Sequence, residues 1–336
     1  MPSKVSYLIG AGASQKAHPL AKTSNEKINY STILYSFIKE NREYFQTRIK
    51  EYPQRVNILK EYLEIAEKCI EFGTPDTYAK WLHENKKKDE YVKLKKLIST
   101  YFSSRDYNPD NNEKFVTKPE PRILPFLTSI MDNGEIPENI KIISWNYDSQ
   151  FEIAAKNVPV LDTDGISIKK EYLKGFSAYP NVTNSFPSYM QFSHIPFLIH
   201  LNALAGFNLN TSGLIDECIA PFVEMVATEN MPSLSYAWEK EDGLGVFTNK
   251  RIEIANQMAE GTEYLVIIGY SFPFFNRHID KQLLTTMSPT LKKIYYQEPN
   301  RGINEDDLIN KFDLQISKEQ IKMVRNPNQY HIPHEL

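Results

Sequence analysis

Short apolar runs rich in β-branched residues recur along the chain, and each stops abruptly at glycine or small polar residues. The first, Val5 to Ile9, runs straight into Gly10-Ala11-Gly12-Ala13-Ser14. Residues 140–145, 196–201, 263–272 and 292–300 repeat the pattern. Apolar runs of this length without alternation suit strands buried on both faces, the condition of a parallel sheet covered by helices. Between the first two runs the period changes. VNILKEYLEIAEKCIEF (56–72) sets Leu59, Leu63, Ala66 and Ile70 at i, i+4, i+7 and i+11, one face of a helix. Residues from about 25 to 102 read mainly as helix, punctuated by Pro53 and by FGTPDT (72–77), where Thr74 or Asp76 is placed to cap the next helix. The polar, turn-rich segment 103–122 reads as a loop. The expected architecture is α/β: a Rossmann-like parallel sheet with a large helical insertion. One domain is expected to cover 1–310, with insertions at about 25–122 and 158–255, and 311–336 to form a C-terminal extension.

A strand ending in residues without large side chains lets backbone N–H groups approach an anion closely. Two known phosphate-binding patterns are incomplete here. Gln15 stands short of the third glycine of G-x-G-x-x-G, and no G-K-[ST] follows. A tight structural turn is therefore an equal reading of Gly10–Ser14 taken alone. If the turn binds a ligand, a bulky residue at Gly12 is expected to block that approach without unfolding the chain.

Composition narrows the function classes. The 336 residues are 41% hydrophobic and 24% charged, with a net charge of −3. That balance gives no global electrostatic case for binding nucleic acid or an anionic membrane. The densest basic stretch, KKKDEYVKLKK (86–96), is interrupted by acids and reads as a solvated helix face. No apolar run reaches the length of a membrane span and no signal peptide opens the chain, so a reducing cytoplasm is the expected location. Cys69 and Cys218 are the only cysteines. They build neither a disulfide framework nor a structural zinc site, and no metal is expected.

The strand ends present, in order, G-A-G-A-S (10–14), S-W-N-Y-D (144–148), H-L-N-A (200–203), G-Y-S-F (269–272) and Y-Q-E-P-N (296–300). This ordered series resembles the sirtuin-like NAD-consuming proteins, over most of the chain, and is most similar to the bacterial members that act in anti-phage defence. The resemblance implies a sirtuin-like fold that binds NAD as its substrate, with the opening turn (Gly10, Ala11, Gly12, Ser14) cradling the pyrophosphate. Gly269 and Ser271 match the segment that approaches phosphate or ribose, and Glu298 stands where an acceptor for the adenosine ribose is expected. Asp280 matches an acidic position after G-Y-S-F; a helix-surface carboxylate paired with Arg277 is its other reading. Departures are informative. The chain lacks the two cysteine pairs of a deacylase zinc ribbon, its HPLAKT (18–23) replaces the P-D-F-R run, and Leu201 follows His200 where deacylases have glycine. These differences disfavour peptide deacylation and leave cleavage of NAD itself.

Breaking the nicotinamide–ribose bond expels a neutral base and leaves an oxocarbenium-like sugar. Asn146 suits the task of orienting a water or the ribose, since an amide both donates and accepts. An ionised Asp148 would favour developing positive charge, and His200 is the natural general base. Read singly, an Asn-x-Asp at a strand end is also an Asx turn or helix cap, and a histidine among Ile199 and Leu201 is also a core residue. His18, just after the glycine turn, is placed to line a pocket. The expected function is hydrolysis of NAD to nicotinamide and ADP-ribose by a defence effector. It would work as a homo-oligomer or beside a partner such as a HerA-type ATPase, with no direct contact to nucleic acid or membrane. ADP-ribosyl transfer, deacylation, and a non-catalytic NAD or ADP-ribose sensor subunit are the alternatives.

Overall fold

The computed structural model describes residues 2–18, 30–40, 42–43, 46, 57–106, 119–156, 158–161, 168–171, 173–180, 195–205, 232–239, 246–297, 304–312 and 316–336. Seven strands form one sheet in which every pairing is parallel: β1 (Val5–Ile9), β2 (Ile140–Ser144), β5 (Ala178–Tyr179), β6 (Leu198–His200), β7 (Tyr264–Ile268), β8 (Lys293–Gln297) and β9 (Ile321–Val324). Their order is β5-β6-β2-β1-β7-β8-β9, while β3 (Val158–Leu161) and β4 (Ile168–Glu171) pair antiparallel outside it. Setting aside the two-residue edge β5, the strands follow one another as 3-2-1-4-5-6, the doubly wound order. The order reverses between β1 and β7. Ligands in such sheets bind beyond the carboxyl ends of the strands at that reversal.

Both sheet faces are covered, which is why the strand sequences are apolar without alternation. Tyr7, Ile9, Ile142, Val266 and Ile268 pack on the side of α5 (Ile123–Ile130) and α6 (Gln150–Ala155). Leu8, Ile143, Ile199, Leu265 and Ile267 pack on the opposite side, against α7 (Val246–Ala259) and α8 (Arg277–Met287). A third core belongs to the helices that follow β1: α1 (Tyr30–Glu40), α2 (Ile58–Glu71), α3 (Pro75–Glu84) and α4 (Lys88–Asp106). Thr74 caps α3, its hydroxyl accepting from the Thr77 N–H at 3.1 Å with Pro75 in the first turn. Asp76 is thereby left for another task.

Several expectations are corrected. The buried stripe of α2 is Ile58, Tyr62, Ile65 and Cys69 with Leu59 and Ala66, whereas Ile70 is 40% exposed. The helix is turned by about one residue from the expected face, because Tyr62 and Cys69 join its apolar side. The basic stretch 86–96 is only partly a solvated face. Lys95 is 2% exposed, pairs with Glu239, and lies over the rings of Tyr91 and Tyr236. The segment expected as a loop from 103 is helical as far as Asp106. Residues after 310 are no mere extension: β9 lies at the sheet edge beside β8, and Tyr330 is buried with its hydroxyl donating to the Ala13 carbonyl at 2.7 Å. Within the expected second insertion, β5 adds a short strand beside β6, which lies in the expected run 196–201.

The turns after β1 and β7 touch backbone to backbone. Gly10 N–H donates to Ile268 O at 3.0 Å and Gly12 N–H to Gly269 O at 2.9 Å. Gly269 has φ +59°, the left-handed region that favours glycine. A Cβ on Gly12 would lie 2.8 Å from Gly269 Cα, one on Gly10 would lie 2.7 Å from the Gly269 carbonyl oxygen, and one on Gly269 would fall onto the Gly12–Ala13 peptide. The expectation that Gly12 can be enlarged without harm to the fold is thus reversed: the clash is with the protein itself. Gly12→Leu and Gly269→Ala are each expected to lower unfolding free energy by roughly 1–3 kcal/mol or more, from overpacking and backbone strain. A wild-type urea midpoint for either variant would show that the two turns do not need this contact.

Candidate functional site

A cavity of about 220 Å³ opens beyond the carboxyl ends of β1, β2, β6 and β7, room for a ring-sized group with water around it. Gly10 and Ala11 line it from β1, residues 145–148 from β2, Asn202 from β6, and Gly269, Tyr270 and Ser271 from β7. His18, Asp76 of α3 and Phe102 of α4 close it from the helical side. The site therefore lies at the reversal of strand order.

The glycine turn is tied down from both ends of its peptides. Besides the N–H groups of Gly10 and Gly12, that of Ala13 is engaged, donating to Gly10 O at 2.9 Å. Arg122, paired with Glu120 at 2.5 Å, donates to the carbonyls of Gly12 and Ala13 at 3.3 and 2.6 Å. Two of the expected phosphate donors, the N–H groups of Gly10 and Gly12, are thus engaged inside the protein, as is that of Ala13. Ser14 is buried, and its hydroxyl accepts from Asn146 Nδ2 at 3.0 Å. Of the residues expected to cradle a ligand, Gly10, Ala11, Gly269 and Ser271 reach the cavity wall; Gly12 and Ser14 lie behind it. Glu298 lies outside the described residues, as does His194.

Asn146 and Asp148 both line the cavity. His200 does not. It is 1% exposed, and both ring nitrogens face acceptors: Nδ1 meets the Asn146 carbonyl at 3.2 Å and Nε2 meets Glu152 Oε1 at 2.8 Å. A carbonyl only accepts, so Nδ1 carries a proton; an ionised Glu152 then requires one on Nε2 as well. Burial opposes that charge, but the Glu152 charge and hydrogen bond, the Asn146 carbonyl and Asp148 together hold the His200 pKa above the usual histidine value. His200 has no open lone pair for the general-base role read from the sequence. It is a clamp on the backbone of Asn146.

The acids behave differently. Burial pushes Asp148 up to about 6, with Asp106 adding to the rise and His18, Ser14 and the Gln150 N–H opposing it. Asp76, open to the cavity but surrounded by protein elsewhere, is likewise pushed up to about 6 by burial against a weak hydrogen bond from Tyr147 (3.4 Å). His18 Nε2 meets Asp106 Oδ1 at 2.7 Å, and Asp106 also accepts from Gln150 Nε2 and the Ser149 N–H, each at 2.7 Å. Asp106, Glu152 and Arg122 carried no signal beyond residue type in the sequence, and Asp76 only that of a helix cap.

Asp280 is 0% exposed, so the helix-surface reading is overturned. It accepts from Trp145 Nε1 at 3.0 Å and from the Tyr270 hydroxyl at 2.8 Å, joining the ends of β2 and β7. Two non-glycine residues at the rim hold left-handed backbone, Ala203 (φ +59°) after Asn202 and Phe272 (φ +55°) after Ser271. Such strain gathers at ligand sites. Among the described residues no three histidine, cysteine or acidic side chains are gathered to hold a metal ion, and no helix is long and apolar enough to cross a membrane.

Compared with known proteins, the chain matches no family and no curated relative. What the fold and site define is a doubly wound α/β protein with an acidic cavity at the reversal of its sheet.

The raised Asp148 pKa sets a stability prediction. Below about pH 4 the carboxyl is neutral whether the chain is folded or unfolded. Between about 4 and 6 the folded form keeps a proton that the unfolded chain loses, and above about 6 the folded form bears the full cost of the buried charge, about 3 kcal/mol. Asp148→Asn is expected to raise the unfolding free energy at pH 8 by about 1–3 kcal/mol, the gain vanishing towards pH 4. Denaturant titrations at the two pH values check this; an equal effect at both would contradict it.

Proposed function

We propose that the protein hydrolyses NAD to nicotinamide and ADP-ribose. The observation that supports this most is the position of Asn146 and Asp148 together on the wall of the cavity at the sheet reversal, beside the glycine turn. The order of strand-end motifs resembling sirtuin-like NAD-consuming proteins agrees with it. Asp148, ionised above about pH 6, favours the cationic pyridinium and the positive charge that grows on the ribose. Asn146 Nδ2 is tied to Ser14, which leaves Oδ1 to meet a ligand hydroxyl or water. His200 and Glu152 hold the Asn146 backbone from behind. The same resemblance supports an effector that depletes NAD in anti-phage defence, restrained by assembly with itself or with a partner such as a HerA-type ATPase.

Two variants test the assignment. Asn146→Ala is expected to cut nicotinamide release roughly 10²–10⁴-fold with the melting temperature nearly unchanged. NAD that stays intact with wild-type protein yet binds it tightly would favour the non-catalytic sensor reading instead. His200→Ala strands Glu152 without its partner, which costs roughly 3–5 kcal/mol when a buried pair is broken. Early melting with activity lost in proportion to the shifted Asn146 is the expected result. A stable but inactive His200→Ala would instead restore the histidine as a direct participant.

A further inference from the structure

The two histidines near the cavity are wired in opposite ways. His200 has an acceptor on each nitrogen and sits behind the wall. His18 is part of the wall, 4% exposed, with Nε2 held by Asp106 and Nδ1 buried with no hydrogen-bond partner among the described residues. Buried polar atoms are nearly always paired, and an orphan at a cavity is a group kept for something the protein itself does not supply. Asp106 is the fixed member of the pair. Its carboxylate accepts from His18, from Gln150 Nε2 and from the Ser149 N–H, and its side chain is 1% exposed. An ionised carboxylate accepts only, so the neutral imidazole carries its proton on Nε2 and its lone pair on Nδ1. A histidine whose far nitrogen is oriented by a buried aspartate is the arrangement by which proteins hold a general base in one tautomer.

We propose that His18, oriented by Asp106, is the group that takes the proton during NAD cleavage. The inference rests on the hydrolase reading above and moves the base from His200 to His18. In the step, the oxygen of a water bonds to ribose C1′ while the C1′–nitrogen bond breaks. That bond's electron pair goes to the pyridinium nitrogen, which leaves as neutral nicotinamide, and the water's proton passes to Nδ1 of His18. The resulting imidazolium lies between two carboxylates, Asp106 and Asp148, with Arg105 the cation that opposes it. Burial alone would lower the His18 pKa; the charge and hydrogen bond of Asp106, with help from Asp148, leave it above the usual histidine value. Phe102, with its ring centroid 5.0 Å from that of His18, packs the imidazole into place.

His18→Gln keeps a donor for Asp106 and removes the base. It is expected to lower kcat for nicotinamide release roughly 10²–10⁴-fold with little change in KM. Asp106→Asn, which no longer enforces the tautomer, should lose a similar factor, and the double variant little more than either. The wild-type kcat should fall on the acid side as His18, facing Asp106, Asp148 and Arg105, becomes protonated; in the Gln variant that contribution should vanish, leaving only the fall near pH 6 that protonation of Asp148 causes. A measurement independent of turnover is the nitrogen NMR spectrum of histidine-labelled wild-type protein at alkaline pH. There His18 should show a bare Nδ1 and a protonated Nε2. A proton on Nδ1 under those conditions, or a His18→Gln variant with wild-type kcat, overturns the assignment while NAD hydrolysis stands. Wild-type protein that binds no NAD and releases no nicotinamide overturns both readings.

Discussion

The structure depends on a contact that no side chain makes. Where strand order reverses, the turns leaving β1 and β7 cross so closely that neither has room for a Cβ, and two N–H···O bonds bind them. The rest of the site is arranged around this crossing. Arg122 grips the carbonyls of the β1 turn and stacks over Tyr330, whose hydroxyl reaches the same turn from the last segment of the chain. The tail after β9 and the start of α5 thus help to fix a turn near the other end of the sequence. A consequence follows for binding. Because the Gly10 and Gly12 N–H groups bind the two turns together, the wall of the cavity is shaped mainly by side chains that the neighbouring strands and helices bring to the rim.

The strands buried on both faces were legible in the sequence, since burial on both sides demands continuous apolar residues. β1, β2, β6, β7 and β8 all lie inside the expected runs. The edges were not. β5 has two residues, and β9 reads I-K-M-V, with Lys322 exposed, so neither carries the signal of an interior strand. The face of α2 was misjudged because tyrosine and cysteine, both buried there, count weakly in an apolar pattern. Lys95 failed for a related reason: a sequence shows a charge but not that Glu239 and two aromatic rings wait for it in the fold.

The site was legible where a strand end delivers the residue, and opaque where a separate layer does. Asn146 and Asp148 follow β2 directly, so their place at the rim follows from strand direction alone. Asp76 and Asp106 come from α3 and α4, whose placement over the strand ends no local pattern records. The two histidines make the point most sharply. His200 ends a strand and looked exposed to ligand, whereas His18 follows a turn and had no motif behind it. What separates their chemistry is the atom opposite the second nitrogen: for His200 a carbonyl, for His18 no partner among the described residues.

The distribution of cost across the molecule completes the case for a site at this rim. Three apolar cores hold the sheet and the helical layer among the described residues. The cavity gathers polar groups at the ends of the strands. Two carboxyls, Asp76 and Asp148, sit where burial drives them towards neutrality. Ala203 and Phe272 keep left-handed backbone, and Asn202 Oδ1 and His18 Nδ1 are buried without partners among the described residues. Each feature disfavours folding by an amount that ordinary packing would remove with a single substitution. That they meet at the point where a doubly wound sheet receives ligands marks this wall as the place where the atoms of a ligand would complete the set.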